Sequence, residues 1–123
     1  MAVIPALDVA DAARLEARAR VMKALGHPTR LFIVEELARG ERCVCELQAM
    51  IGADISTVSK HLSVLKSAGL VLDDKRGAQV FYTLRVPCVL SFFGCVEAII
   101  EEAAGGMGAV AGPADPARAR REL

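Results

Sequence analysis

The chain has 123 residues, the size of one ordinary domain. Its 15 lysine and arginine residues match its 15 aspartate and glutamate residues, so the formal net charge of zero excludes a protein that holds nucleic acid by bulk positive charge. The hydrophobic fraction of 54% is high for a domain whose surface-to-volume ratio leaves much of the chain exposed. It predicts that some apolar surface meets a partner chain.

The first twenty residues lack the pattern of a secretion signal, because charged residues such as Asp8 and Arg14 interrupt any apolar core. The longest apolar run, 86–100, contains Glu97 and is shorter than the roughly 20 residues of a membrane span. We therefore expect a cytoplasmic protein with no membrane partner. In that compartment the four cysteines are expected to be thiolates for a ligand or a redox signal rather than structural disulfides.

Two helices are predicted in the first third of the chain. Residues 8–25 carry apolar side chains at three- and four-residue spacing, with acids early and bases late, which matches the helix dipole. Gly26 ends this helix, and Pro28 favours the first turn of a second helix that runs to about Ala38.

Two shorter helices follow. One covers Glu46–Ile51 and ends near Gly52, and the next begins where Asp54 or Ser56 can cap it. The second of these helices separates an apolar stripe from a polar stripe. The apolar stripe is Ile55, Val58, Leu62 and Leu65, and the polar stripe is Ser56, Thr57, Ser59, Lys60, Ser63 and Lys66.

A β-hairpin and a last helix complete the pattern. Residues 70–72 and 80–84 predict two strands around a charged tip, 73–78. Pro87 begins a helix to about Ala104 that is apolar almost all round, which a dimer interface would bury. We expect one winged-helix and dimerisation domain over 1–104 and a disordered tail over 105–123.

The order of two short helices, a turn and a hairpin is that of a winged helix-turn-helix, a mainly α fold with a small β-hairpin. Residues 56–85 hold five basic and two acidic residues, a positive segment within a neutral chain. The polar stripe alone could be the solvated face of an amphipathic helix, but the hairpin favours contact with double-stranded DNA. The candidate DNA-binding residues are Ser56, Thr57, Ser59, Lys60 and His61 on the helix and Lys75, Arg76 and Gln79 on the hairpin.

Four segments resemble the ArsR/SmtB family of bacterial repressors in order and spacing: Leu25–Arg30, Cys43–Leu47, Ser56–Leu62 and Ala68–Val71. The resemblance covers roughly residues 15–100. It implies a homodimer whose first and last helices form the interface. It also implies binding to a two-fold operator until an inducer releases the protein.

Cys43 and Cys45 form a Cys-Val-Cys motif that resembles the arsenic- and cadmium-sensing branch of this family. In a regular helix the two side chains would diverge by about 200°, but in an extended or first-turn segment both can face one ion. Soft thiolates select trivalent arsenic or antimony, or cadmium, lead and zinc. The enteric arsenic repressors place a third cysteine where this chain has Gln48, so a third ligand must come from elsewhere.

The remaining cysteines, Cys88 and Cys95, are separated by about 10 Å of helical rise, too far for both to bind one ion easily. In winged helices the segment before the helix-turn-helix often pairs with the last hairpin strand, which would lay 42–44 beside 81–84, just before Cys88. The predicted metal site is Cys43, Cys45 and Cys88 within one subunit, with Cys95 as the alternative third ligand or a buried bystander. His27 is interpreted as a helix start, and His61 as a DNA-facing residue, rather than as metal ligands.

Three functions compete. The first is a repressor that trivalent arsenic or antimony releases, with cadmium, lead or zinc as alternative ions. The second is a repressor with a thiol-redox or persulfide switch, in which Cys43 or Cys45 bridges to Cys88 on oxidation. The third, a thiol oxidoreductase or arsenic-handling enzyme, is disfavoured because the chain has no Cys-x-x-Cys motif and no evident base beside a nucleophile.

Overall fold

The computed structural model describes residues 6–106, which form five helices and one small sheet. The chain divides into two compact units between Val86 and Pro87, and each unit is described by itself. The first unit contains α1 (Val9–Leu25), α2 (Pro28–Arg39), β1 (Arg42–Cys43), α3 (Val44–Ile51), α4 (Ile55–Ser67), β2 (Val71–Arg76) and β3 (Gln79–Leu84). The second unit contains α5 (Val89–Gly106). Most of the predicted tail, 107–123, lies outside the described residues.

Side-chain caps explain where the first two helices begin. An Asp8 carboxylate oxygen accepts a hydrogen bond from the Asp11 backbone N–H at 2.9 Å, and His27 Nδ1 accepts one from the Thr29 N–H at 3.1 Å. Each cap satisfies a backbone donor that the first helical turn leaves unpaired. Pro28 stands in the first turn of α2, so the predicted role of His27 as a helix start is confirmed.

The core of the first unit lies between its central helices and the start of the hairpin. Its largest side chains have relative exposures of 0–1%, so nearly all of their apolar surface is removed from water. These residues are Ile33, Val34, Leu47, Val58, Leu62, Leu65 and Val71. Because α2, α3 and α4 all contribute to this core, the helix-turn-helix is anchored on its inner side.

The three strands form an antiparallel sheet in the order β1-β3-β2. Arg42 lies opposite Tyr82 and Cys43 opposite Phe81, which confirms the predicted pairing of the segment before the helix-turn-helix with the last hairpin strand.

The predicted hairpin tip was too long. The charged residues 73–76 belong to β2, and only Gly77 and Ala78 separate the strands. Backbone pairing with the apolar strand β3 extends the ladder through these residues, because the hydrogen bonds of a ladder do not depend on side-chain polarity.

The last helix begins at Val89, so Cys88 precedes it, instead of lying within a helix from Pro87 as predicted. Several large apolar side chains of α5 are well exposed, among them Ile99 at 67% and Ile100 at 55%. No helix within residues 6–106 is long and apolar enough to cross a membrane.

Candidate nucleic-acid interface and cysteine pair

The turn between α3 and α4 is fixed by backbone conformation at one end and by a side-chain cap at the other. Gly52, at the end of α3, has φ 81°, a left-handed conformation that glycine adopts readily. Asp54 caps α4 by accepting hydrogen bonds from the Thr57 N–H at 2.8 Å and the Ser56 hydroxyl at 2.9 Å. These bonds, the one from the Thr57 backbone foremost, lower the pKa of Asp54 below its ordinary value.

Helix α4 has the two faces expected of a recognition helix. Val58, Leu62 and Leu65 are fully buried, whereas the predicted DNA-binding residues Ser56, Thr57, Ser59 and Lys60 are exposed. The inclusion of Ile55 in the buried stripe was wrong, because its side chain is 48% exposed. Ile55 is the first residue of α4 and stands beside the turn, beyond the contact between the helix and the core.

His61 has a different environment from the other predicted recognition residues. Its side chain is half-buried, its Nδ1 lies 3.2 Å from Nη1 of Arg30, and its ring centroid is 4.4 Å from that of His27. Arg30 also donates from Nε to the Ala24 carbonyl at 2.6 Å. Burial and the neighbouring His27 and Arg30 lower the pKa of His61.

This cluster ties α4 to the junction of α1 and α2. The DNA contact predicted for His61 stays a prediction. Sequence analysis missed the role of Arg30, whose only signal was its place one turn after His27 in the motif Leu25–Arg30.

The hairpin residues predicted to contact DNA also differ among themselves. Lys75 and Gln79 are exposed. Arg76 is engaged at all three guanidinium nitrogens: Nε donates to Asp74 at 2.9 Å, Nη1 to Glu41 Oε1 at 2.9 Å, and Nη2 to Glu41 Oε2. Sequence analysis missed Glu41, although the correctly predicted pairing of the 42–44 segment with the last strand could have placed it near the hairpin.

The structure brings Cys43 and Cys45 together and joins them in a disulfide, with 5.4 Å between their Cα atoms. The predicted thiolates are the reduced form of this pair, and their role in binding a ligand or in a redox signal stays a prediction. Cys43 is buried, at 4% exposure, and Cys45 is exposed. The Cys43 N–H donates to a carboxylate oxygen of Glu46 at 2.9 Å, which orients the first turn of α3 next to the sulfur pair.

Cys88 and Cys95 are free and exposed. They belong to the second compact unit, whereas Cys43 and Cys45 belong to the first. No three His, Cys, Asp or Glu side chains of residues 6–106 form a group that could hold a metal ion. The set of Cys43, Cys45 and Cys88, with Cys95 as the alternative ligand, stays a prediction.

Comparison with known proteins identifies the family. A family model described as "Bacterial regulatory protein, arsR family" matches residues 27–72, which include α2, β1, α3 and α4. The regulator MJ1325 of Methanocaldococcus jannaschii is 41% identical over 70 residues, which are 56% of this chain and 79% of that protein. The chain belongs to the ArsR family.

A solved structure agrees with the assignment of the chain to the ArsR family. It is similar to a homodimeric winged helix-turn-helix DNA-binding domain from Mycobacterium bovis, described as that of a possible ArsR-family transcriptional regulator. The two are 35% identical, with a TM-score of 0.68, over 78% of this chain and 89% of that chain. This likeness confirms the predicted winged helix-turn-helix fold.

The repressor SmtB of Mycobacterium tuberculosis is 39% identical over 70 residues, 57% of this ArsR-family chain and 52% of SmtB. The chain thus spans about half the length, or less, of curated relatives that it matches. These relatives are named as transcriptional regulators rather than enzymes, in agreement with the sequence-based expectation.

Proposed function

We propose that the chain is a cytoplasmic transcriptional repressor that binds double-stranded operator DNA as a homodimer. The observation that carries this proposal is the two-sided recognition helix α4. Its buried face anchors it in the core, while Ser56, Thr57, Ser59 and Lys60 are exposed. Small hydroxyl side chains allow close approach to the major groove, and Lys60 adds a charge for a phosphate or a guanine edge.

The homodimer follows from two supporting observations. The M. bovis domain is described as homodimeric, and α5 of this chain exposes large apolar side chains of the kind that a subunit interface covers. We infer that α1 and α5 form the interface. Two recognition helices would then read half-sites about 34–36 Å apart, one turn of DNA.

We propose that trivalent arsenic or antimony is the inducer, with cadmium, lead or zinc as the alternative ions. The fit rests on donor chemistry, because Cys43 and Cys45 supply two soft sulfur donors whose Cα atoms are 5.4 Å apart. Reduction of the disulfide by two electrons and two protons gives the two thiols, and their thiolates can then bind one ion. Cys88 is the proposed third ligand, and Cys95 is its alternative.

Release of the repressor from operator DNA would follow from the position of Cys43 and Cys45 in the fold. Cys43 pairs with Phe81 of the β2–β3 hairpin, which is the wing of the winged helix. Cys43 also immediately precedes α3, whose buried Leu47 lies in the core that also holds α4. An ion that ties this segment to Cys88, before α5, would couple the helix-turn-helix to the dimer helix. A coupling of about 1–3 kcal/mol between the ion and the operator changes occupancy substantially.

A second candidate, a thiol-redox or persulfide switch, is favoured by the Cys43–Cys45 disulfide itself. In this mechanism an oxidant such as a peroxide or a persulfide would accept the two electrons that the thiols lose as the S–S bond forms. The bridge from Cys43 or Cys45 to Cys88 is the other form that the switch could take.

One experiment separates these candidates. Gel shifts of the reduced protein on DNA from upstream of its own gene are titrated with trivalent arsenic, antimony, cadmium, lead and zinc, and repeated for each Cys→Ser variant. An ion-sensing repressor is released by an ion, and Cys43→Ser and Cys45→Ser abolish that release. If both variants respond like the wild type, the ion site is wrong. If no ion acts but mild oxidant weakens binding and mass spectrometry finds an internal disulfide, the redox switch is supported instead.

A further inference from the structure

The guanidinium of Arg76 is held by carboxylates at the end of the wing. Glu41 receives two parallel hydrogen bonds, from Nη1 at 2.9 Å and from Nη2, and Asp74 receives a third, from Nε at 2.9 Å. The hydrogen bonds with Glu41 and then Asp74 raise the pKa of Arg76. Such fork-to-fork pairs are geometrically specific, and this one occupies the arginine that the sequence assigns to DNA.

The carboxylate that holds Arg76 comes from a distant part of the sequence. Glu41 is 35 residues from Arg76 and stands directly before β1, two residues from Cys43. Cys43 lies opposite Phe81 across the sheet, and the guanidinium carbon of Arg76 is 4.6 Å from the centroid of the Phe81 ring. One contiguous contact set therefore links the buried cysteine to the wing arginine.

The pairing also changes the charge that the wing presents to DNA. Two carboxylates around one guanidinium leave one negative charge in excess, where a phosphate of the duplex would need a cation. Both partners are partly exposed, with 49% of the Arg76 side chain and 34% of the Glu41 side chain open to solvent. Exposed ion pairs are weak, so a phosphate can compete for the guanidinium.

We propose that Glu41 and Arg76 form an autoinhibitory latch, in which Arg76 is withheld from DNA while it is paired with Glu41 and donates to a backbone phosphate once it is released. The proposal rests on the proposed DNA-binding function and adds a regulatory step to it. A bound duplex holds the latch open.

The test is a thermodynamic cycle on operator affinity, measured by fluorescence anisotropy with the reduced full chain and the upstream duplex. Glu41→Gln, which keeps the size and a hydrogen-bonding group, should tighten binding by about 1.5- to 5-fold, the range for breaking an exposed ion pair. Arg76→Gln should weaken binding and reduce the slope of log affinity against log salt by about 1, the loss of one phosphate contact.

The double variant decides the mechanism. A latch requires Glu41→Gln to have no effect in the Arg76→Gln background, because there is no longer a guanidinium to release. If Glu41→Gln tightens binding equally in both backgrounds, simple charge repulsion explains it and the latch is overturned. Asp73→Asn is the matched control: it breaks an ion pair of β2 that does not involve Arg76, with Lys66 of α4 at 2.9 Å, and its effect should not depend on Arg76.

The outcomes also separate the latch from the proposed function. A wild type that binds neither the upstream duplex nor an unrelated duplex overturns both. A wild type that binds DNA but is indifferent to Glu41→Gln overturns the latch alone. Circular dichroism and thermal unfolding of each variant establish that the affinities compare folded proteins.

Discussion

At the scale of single residues, His61 has protein partners that its place on α4 did not predict. Sequence spacing places it one residue after Lys60 and predicts a DNA contact. The structure gives it protein partners, because Nδ1 lies 3.2 Å from Arg30 and its ring contacts His27. Contacts of this kind join segments 31 residues apart, so the periodicity of α4 carries no signal of them.

The His61 environment predicts an acid-sensitive fold. The pKa of His61 is lowered from 6.5 in the folded chain, so on acidification the unfolded chain takes up the proton first. Its contribution to stability is fully present above pH 6.5, declines as the pH falls through 6.5, and is lost below the folded pKa. Urea midpoints should therefore drop between about pH 7.5 and about pH 5.5 more in the wild type than in His61→Asn. Equal drops in the two proteins would contradict this assignment.

At the scale of elements, local sequence signals predicted the ends of α1 and α2 well, and the hairpin strands and the start of α3 less well. Caps and glycines act within a few residues, so the ends of α1 and α2 fell within one residue of prediction. The prediction of a hairpin tip at 73–76 was wrong, because pairing with the partner strand β3, rather than local polarity, decides that these residues form a strand. Helix α3 begins at Val44, two residues earlier than predicted, since the Cys43 N–H finds a carboxylate oxygen on Glu46.

Helix α3 depends on one buried side chain for its attachment to the core. Leu47 has 0% exposure, whereas Met50 on the same helix is 47% exposed. Leu47→Ala should lower the free energy of unfolding by about 2–5 kcal/mol, from lost apolar burial and the cavity left behind. Met50→Ala should change it by about 0.5 kcal/mol or less. Urea denaturation of both variants measures the difference, and similar losses would show that α3 is not anchored through Leu47.

At the scale of the whole molecule, the sequence predicted the order of the elements that carry the proposed DNA-binding surface but not how the charges on them pair. The order of helices, turn and hairpin follows from the periodicity of the sequence. The pairing of Cys43 with β3 follows from a strand pairing that is common in winged helices. The Cys43–Cys45 disulfide is a local contact between residues two apart, whereas the Glu41–Arg76 ion pair is a tertiary contact. A short sequence separation does not predict the first, and a separation of 35 residues conceals the second.

The exposed apolar side chains of α5 give the proposed homodimer its sharpest test. Ile99 and Ile100 are 67% and 55% exposed, and charge at these positions would be costly to bury in a subunit interface. The double substitution Ile99→Glu with Ile100→Glu should convert the dimer to a monomer in analytical ultracentrifugation. Operator affinity should fall by about 100-fold or more, because the two half-sites are no longer bound by the two linked DNA-binding domains of one dimer.

Glu97→Gln on the same helix is the control for a change of charge alone and should leave both mass and affinity near those of the wild type. The largest fully buried side chains come from α2, α3, α4 and β2 of the first unit, so the monomeric variant should keep the helix-turn-helix and its weak binding to a single half-site. A double variant that remains dimeric and binds the full operator normally would place the subunit interface elsewhere on the chain.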